Sequence, residues 1–113
     1  MRPKNKTPIL VDTARAHLIV SAVAAEFSVP EAGILGQRKG KSEISYGRQI
    51  AMYLMHCIFG TTKSRIAEVF GRHFSTVSHA CNVIEERRDD PVLDRKLIGL
   101  ENRLRYMTSA EAL

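Results

Sequence analysis

The sequence predicts an all-α fold of about six helices organised around a helix-turn-helix. Three observations carry this. Apolar residues recur at spacings of three and four along most of the 113-residue chain, and no segment sustains alternation with a period of two. Proline, glycine and capping residues cut that pattern into pieces of helical length. Two short pieces joined by a glycine then stand in the order that a helix-turn-helix needs. The composition, 44% apolar and 26% charged, is ordinary for a globular domain. The length is room for one domain with a single modest core.

The elements follow in order. Residues 1–11 read as a flexible basic arm, with Arg2, Lys4 and Lys6 interrupted by Pro3 and Pro8. The arm is either a start without a role or a reach towards phosphate. It holds no cleavable apolar block, and no stretch of the chain has the length of a membrane span. From Asp12 or Thr13, either of which can cap, a first helix places Leu18, Ile19, Ala22, Val23 and Phe27 on one face. Ser28-Val29-Pro30-Glu31 has the form of a capping box with proline in the first turn, opening a short second helix with Ile34 and Leu35. Gly36 ends it. Residues 36–42, with two glycines and three cations, read as a loop. A third helix runs from Ser42 or Ser45 to Phe59, with Ile50, Leu54, Cys57 and Ile58 inward, and Gly60 suits the left-handed position beyond it.

Thr61 and Thr62 supply caps for a fourth helix over about 63–70, and Gly71 marks a sharp turn. A fifth helix starts near Ser75 and runs to about Arg88, burying Val77, Ala80, Cys81 and Ile84 at i, i+3, i+4 and i+7. Asp90 caps a sixth helix that begins at Pro91 and carries Leu93, Leu97, Leu100, Leu104 and Met107. Its last six residues are expected to fray. Three parts result: the arm, a helix-turn-helix domain over 12–88, and a C-terminal helix over 89–113. The leucine stripe either folds back on the core or forms a homodimer seam through Leu93, Leu97, Leu100 and Leu104. Folding back is the favoured reading, since an isolated short helix is marginal.

The fifth helix carries the chemistry. With its apolar stripe inward, Ser75, Thr76, Ser78, His79 and Asn82 face out. These short polar side chains can bond to base edges and phosphates without holding the helix away from a groove. Charge agrees. Seventeen Lys and Arg against twelve Asp and Glu give +5. The excess is concentrated in residues 1–10, in 36–48 (Arg38, Lys39, Lys41 and Arg48 against Glu43) and in 61–76. An anionic partner such as nucleic acid suits this distribution.

A family resemblance adds to this reading. Arg48-Gln49-Ile50-Ala51-Met52-Tyr53-Leu54, then Ile66, Phe70-Gly71-Arg72, Ser75-Thr76-Val77-Ser78-His79-Ala80-Cys81 and Ile84-Glu85 resemble the C-terminal DNA-binding domain of the bacterial replication initiator DnaA. The similarity runs from about Thr13 to Glu86. It implies a helix-turn-helix that enters a major groove and a basic loop that touches the minor groove or backbone. By position it implies that Lys39 and Lys41 lie in that loop and that Arg48 and Gln49 contact phosphate. It further implies that Arg72, Ser75 and Thr76 belong to the motif at the start of the recognition helix. The chain also departs from the family run Phe-Gly-Gly-Arg-Asp-His-Thr-Thr-Val. One glycine is missing, His73 and Phe74 stand for aspartate and histidine, and Ser75 stands for threonine. The usual initiator site is therefore not assumed.

Other chemistries fit poorly. No Cys-x-x-Cys spacing is present and both cysteines fall on apolar stripes, so His56-Cys57 and His79/Cys81 do not read as a zinc site, and no metal or other cofactor is expected. No nucleophile-and-base motif and no Gly-x(4)-Gly-Lys-Ser/Thr loop occurs, so the chain does not read as an enzyme. The run Glu85 to Asp90 reads as a solvated helix end with local charge pairs. The expectation is a cytoplasmic, nucleoid-associated protein that binds double-stranded DNA, a transcriptional regulator or a modulator of replication initiation. Lys39, Lys41, Arg48, Gln49 and Lys63 would grip phosphate. His73, Phe74, Ser75, Thr76 and His79 would face the major groove, with Arg72 among the DNA-binding residues at the start of the recognition helix. The competing reading is a protein-interaction module that kept the fold and lost specific DNA binding.

Overall fold

The computed structural model describes residues 7–36 and 42–112. It holds six helices: α1 (Ile9–Phe27), α2 (Glu31–Leu35), α3 (Ser42–Phe59), α4 (Lys63–Phe70), α5 (Phe74–Arg87) and α6 (Pro91–Ala112). The third is the axis of the fold. Six successive residues of α3, Ile50 to Met55, are buried, so neighbours surround it on every side. A helix enclosed in this way needs apolar residues all round rather than along one stripe. Cys57 and Ile58, expected inside, are only half-buried because α3 emerges from the core near its end. Around this axis, α1 contributes Ile19, Val20 and Val23, α5 contributes Val77, Ala80 and Ile84, and α6 contributes Leu97, Leu100 and Leu104.

The first helix starts at Ile9, three residues before Asp12, with Pro8 preceding it in an extended conformation. Ile9, Leu10 and Val11 thus belong to α1 and not to an arm, and residues 1–6 lie outside the described residues. Asp12 is no cap. It lies inside the first turns of α1, 1% exposed, and takes a bond of 3.0 Å from Arg65 Nη1 of α4. The same Nη1 donates to the Thr7 carbonyl at 2.8 Å. A buried carboxylate needs such a partner, and the pair ties the first helix to the fourth.

The capping box at Ser28 does not form. Ser28 closes α1 in the left-handed conformation, φ 54°, and Pro30 precedes α2 without a side-chain cap. The sequence signal was satisfied by a different helix end. Elsewhere the punctuation acts as expected. Gly60 (φ 63°) and Gly71 (φ 64°) take the left-handed conformations that close α3 and α4. Thr62 Oγ1 accepts from the Arg65 amide at 3.2 Å, and Asp90 Oδ1 accepts from the Val92 amide at 2.9 Å. The sixth helix extends to Ala112, beyond the point where fraying was expected.

The leucine stripe folds inward. Leu93 is 7% exposed and Leu97, Leu100 and Leu104 are 0–1% exposed. The seam proposed for a second copy is part of this molecule's own core.

Candidate nucleic-acid interface

Helices α4 and α5 form the predicted helix-turn-helix. After Phe70 the chain reverses at Gly71, and the Arg72 amide donates to the Ala67 carbonyl at 2.9 Å, closing the turn. His73 then caps α5, which begins at Phe74 rather than at Ser75. Its Nδ1 accepts from the Ser75 amide at 3.2 Å. Imidazole is an uncommon cap, and the usual list of capping residues gave no signal for it. Val77, Ala80, Cys81 and Ile84 are all buried, so the inward stripe read from the sequence is the real one.

The opposite face of α5 is open. His73, Phe74, Ser75, Thr76, His79 and Asn82 are exposed and Ser78 is half-buried. Phe74, at 49% exposed, is a large apolar side chain held out in solvent. No aspartate or glutamate occurs between residues 69 and 84. A polyanion approaching this face therefore meets no acid on α5 before Glu85. Lys63 opens α4 and is half-buried, as is Gln49. Lys39 and Lys41 lie outside the described residues.

Arg48 occupies another kind of place. Only 6% of it is exposed, and its guanidinium is engaged with the end of α2. Nε donates to the Ile34 carbonyl at 2.9 Å, and Nη2 donates to the carbonyls of Gly33 at 2.8 Å and Gly36 at 3.5 Å. Arg72 donates to the same Gly36 carbonyl. The carboxyl end of a helix presents unsatisfied carbonyls and partial negative charge, which explains its attraction for both cations. Burial, and then repulsion from Arg72, pull Arg48 below the ordinary guanidinium range. The arginine expected at phosphate is largely engaged with the carbonyls at the end of α2. Arg72, half-buried, links the turn of the helix-turn-helix to the root of residues 37–41.

The carboxyl end of α5 holds a cluster that the sequence did not disclose. Arg88 leaves the charged run and turns inward. It donates to Asp94 at 2.7 Å, to both oxygens of Glu101 at 3.1 Å, and to the Tyr53 hydroxyl at 3.2 Å. Tyr53 in turn donates to Glu85. Burial and the bond to Glu85 push the Tyr53 hydroxyl well above the ordinary phenol range. Glu101 raises Arg88 still further. A forked guanidinium and a planar carboxylate make this bidentate geometry favourable. It joins α3, α5 and α6. No local spacing foretells it, because Glu101 stands in a leucine-rich stripe thirteen residues away.

Among the described residues no group of His, Cys, Asp and Glu could hold a metal ion, and Cys57 and Cys81 are free thiols. No described helix is long and apolar enough to cross a membrane.

Comparison with known proteins agrees with this geometry. A family model described as the bacterial dnaA protein helix-turn-helix matches residues 16–84. The chain is 39% identical over 92 residues to the chromosomal replication initiator protein DnaA of Chlorobaculum tepidum, covering 80% of this chain and 18% of that protein. It is 30% identical over 99 residues to DnaA of Synechococcus sp. (strain JA-2-3B'a(2-13)), covering 86% of this chain and 21% of that protein. The chain thus spans about one-fifth of the length of these relatives. The crystal structure of a DNA replication initiation factor superposes with a TM-score of 0.74 at 28% identity, covering 85% of this chain and 30% of that one. With its central helix, its glycine turn and its open fifth helix matched by one family over more than half its length, the chain belongs to the helix-turn-helix family of bacterial DnaA proteins.

Proposed function

We propose that this chain binds double-stranded DNA sequence-specifically through α5, acting as a transcriptional regulator or a modulator of replication initiation. The observation that carries the reading is the division of α5 into two faces. One is buried in the core; the other presents His73 to Thr76, His79 and Asn82 to solvent with no acid among them. A helix so anchored can enter a major groove with its first turn against the base edges. Phe74 and Thr76 lie where a thymine methyl can be packed against, and Ser75 and His79 can bond to bases or phosphates. Lys63, Gln49 and Arg72, with Lys39 and Lys41, would contact the backbone and fix the register. Arg48 would serve that surface from beneath by holding the end of α2.

DNA binding would place the protein at the nucleoid. The test is binding to random duplex at several salt concentrations. Each phosphate contact contributes about −0.9 to the slope of log affinity against log salt. A slope corresponding to several contacts is the expected result. A flat response at low salt would overturn the proposal and favour a protein-interaction module displaying Phe74.

A further inference from the structure

We infer that His73 reads DNA as an obligate hydrogen-bond donor and selects a base that presents acceptors, guanine foremost. This deepens the DNA-binding reading above and rests on it. The argument begins with the cap. A backbone amide can only donate, and the Ser75 amide donates to Nδ1 of His73. In that bond Nδ1 is the acceptor and carries its lone pair. Ser75 Oγ, 2.9 Å from the same nitrogen, is compatible with this because its hydroxyl can also turn towards Nδ1. A neutral imidazole with an unprotonated Nδ1 bears its proton on Nε2. The helix cap thus fixes the tautomer.

The free edge of the ring is consequently a donor. The ring is exposed, and it stands at the amino end of α5, the end that recognition helices turn to the bases. In the major groove guanine offers two adjacent acceptors, N7 and O6. Thymine offers O4 and adenine N7, the latter beside a competing amino group. Cytosine offers only its amino donor. A fixed N–H therefore ranks guanine first and cytosine last. One side chain performs two tasks: its inner nitrogen ends the helix, and its outer nitrogen discriminates.

Substitutions can separate the tasks. Asparagine and aspartate are both good caps, so His73→Asn and His73→Asp each retain the helix start. Asparagine can cap with its oxygen and still offer N–H groups; aspartate offers only oxygens. Selection from a random duplex pool would be run with the wild-type protein and both variants, beside salt titrations on random duplex. Wild type should enrich guanine at one position of its site, and replacing that guanine by cytosine should weaken binding on the order of tenfold. His73→Asn should keep the preference. His73→Asp should lose it and favour cytosine or adenine there, whatever its overall affinity. Unchanged preferences in His73→Asp, or tolerance of cytosine by wild type, would overturn the inference while the salt slope still upheld DNA binding. Absence of a salt slope in all three proteins would remove the DNA-binding reading and the inference with it.

Discussion

The two ends of α5 are held by opposite means. At the carboxyl end Arg88 gathers Tyr53, Asp94 and Glu101 into a cluster that spans three helices. At the amino end the helix is closed by one imidazole nitrogen, and the residues that follow stand in solvent. The difference separates two requirements. The body of the helix needs one fixed orientation, and charge-assisted bonds among half-buried groups provide it. The tip needs side chains whose identity can change without disturbing that orientation. The departures from the family pattern at His73, Phe74 and Ser75 fall at this exposed tip, where substitution leaves the core packing alone and, under the proposed function, would alter recognition.

Removing Arg88 should give the largest effect. In Arg88→Ala the Glu101 carboxylate, 8% exposed, loses its cation, and an orphaned buried charge costs about 3 kcal/mol. Denaturant unfolding should show that loss, while any residual binding keeps its base preference. If stability is unaltered, the carboxyl end is not the anchor. Arg48→Ala should follow, destabilising by about 2 kcal/mol because the carbonyls at the end of α2 lose their donor. It should lower stability and affinity together. Arg48→Lys should restore little, since an ammonium cannot reproduce the fork. Lost affinity at unchanged stability would instead mark Arg48 as a simple phosphate contact.

The effect at the tip should be smaller and of another kind. His73→Ala removes a cap worth about 1 kcal/mol, and its main consequence should be relaxed sequence selection. A melting temperature that falls as far as in Arg88→Ala would erase the distinction between the ends. Near neutral pH the smallest effect belongs to titration at the carboxyl end. The Tyr53 hydroxyl and the Cys57 and Cys81 thiols are all raised, each chiefly by burial. The folded protein holds these protons more tightly than the unfolded chain does. Their contribution is whole below the ordinary thiol range and declines as pH climbs through the thiol and then the phenol range. Thermal melts from pH 8 to 11 should therefore fall progressively, and less steeply in Tyr53→Phe. A flat profile would show that the cluster is open to water.

Local signals made most of the fold legible. Gly60, Gly71, Thr62 and Asp90 act as read, because each acts through bonds to residues a few positions away. The inward stripe of α5 was legible for the same reason: a helix repeats its faces. What escaped the sequence depends on distant partners. Asp12 looks like a cap until Arg65, fifty-three residues on, claims it. Arg48 looks like a surface cation until α2 folds over its guanidinium. Arg88 looks solvated until Glu101 arrives. In each case a charged side chain acquired a partner that no spacing rule foretells. The capping role of His73 escaped for a different reason, since imidazole seldom caps helices.

The inward turn of Leu93, Leu97, Leu100 and Leu104 has a practical bearing on how target sites should be sought. A paired reader imposes inverted repeats on its operator, and search procedures commonly assume them. With those four leucines engaged inside one molecule, they are not available to mate two readers back to back. Under the proposed function, that stripe therefore supplies no ground for imposing an inverted repeat on the search template.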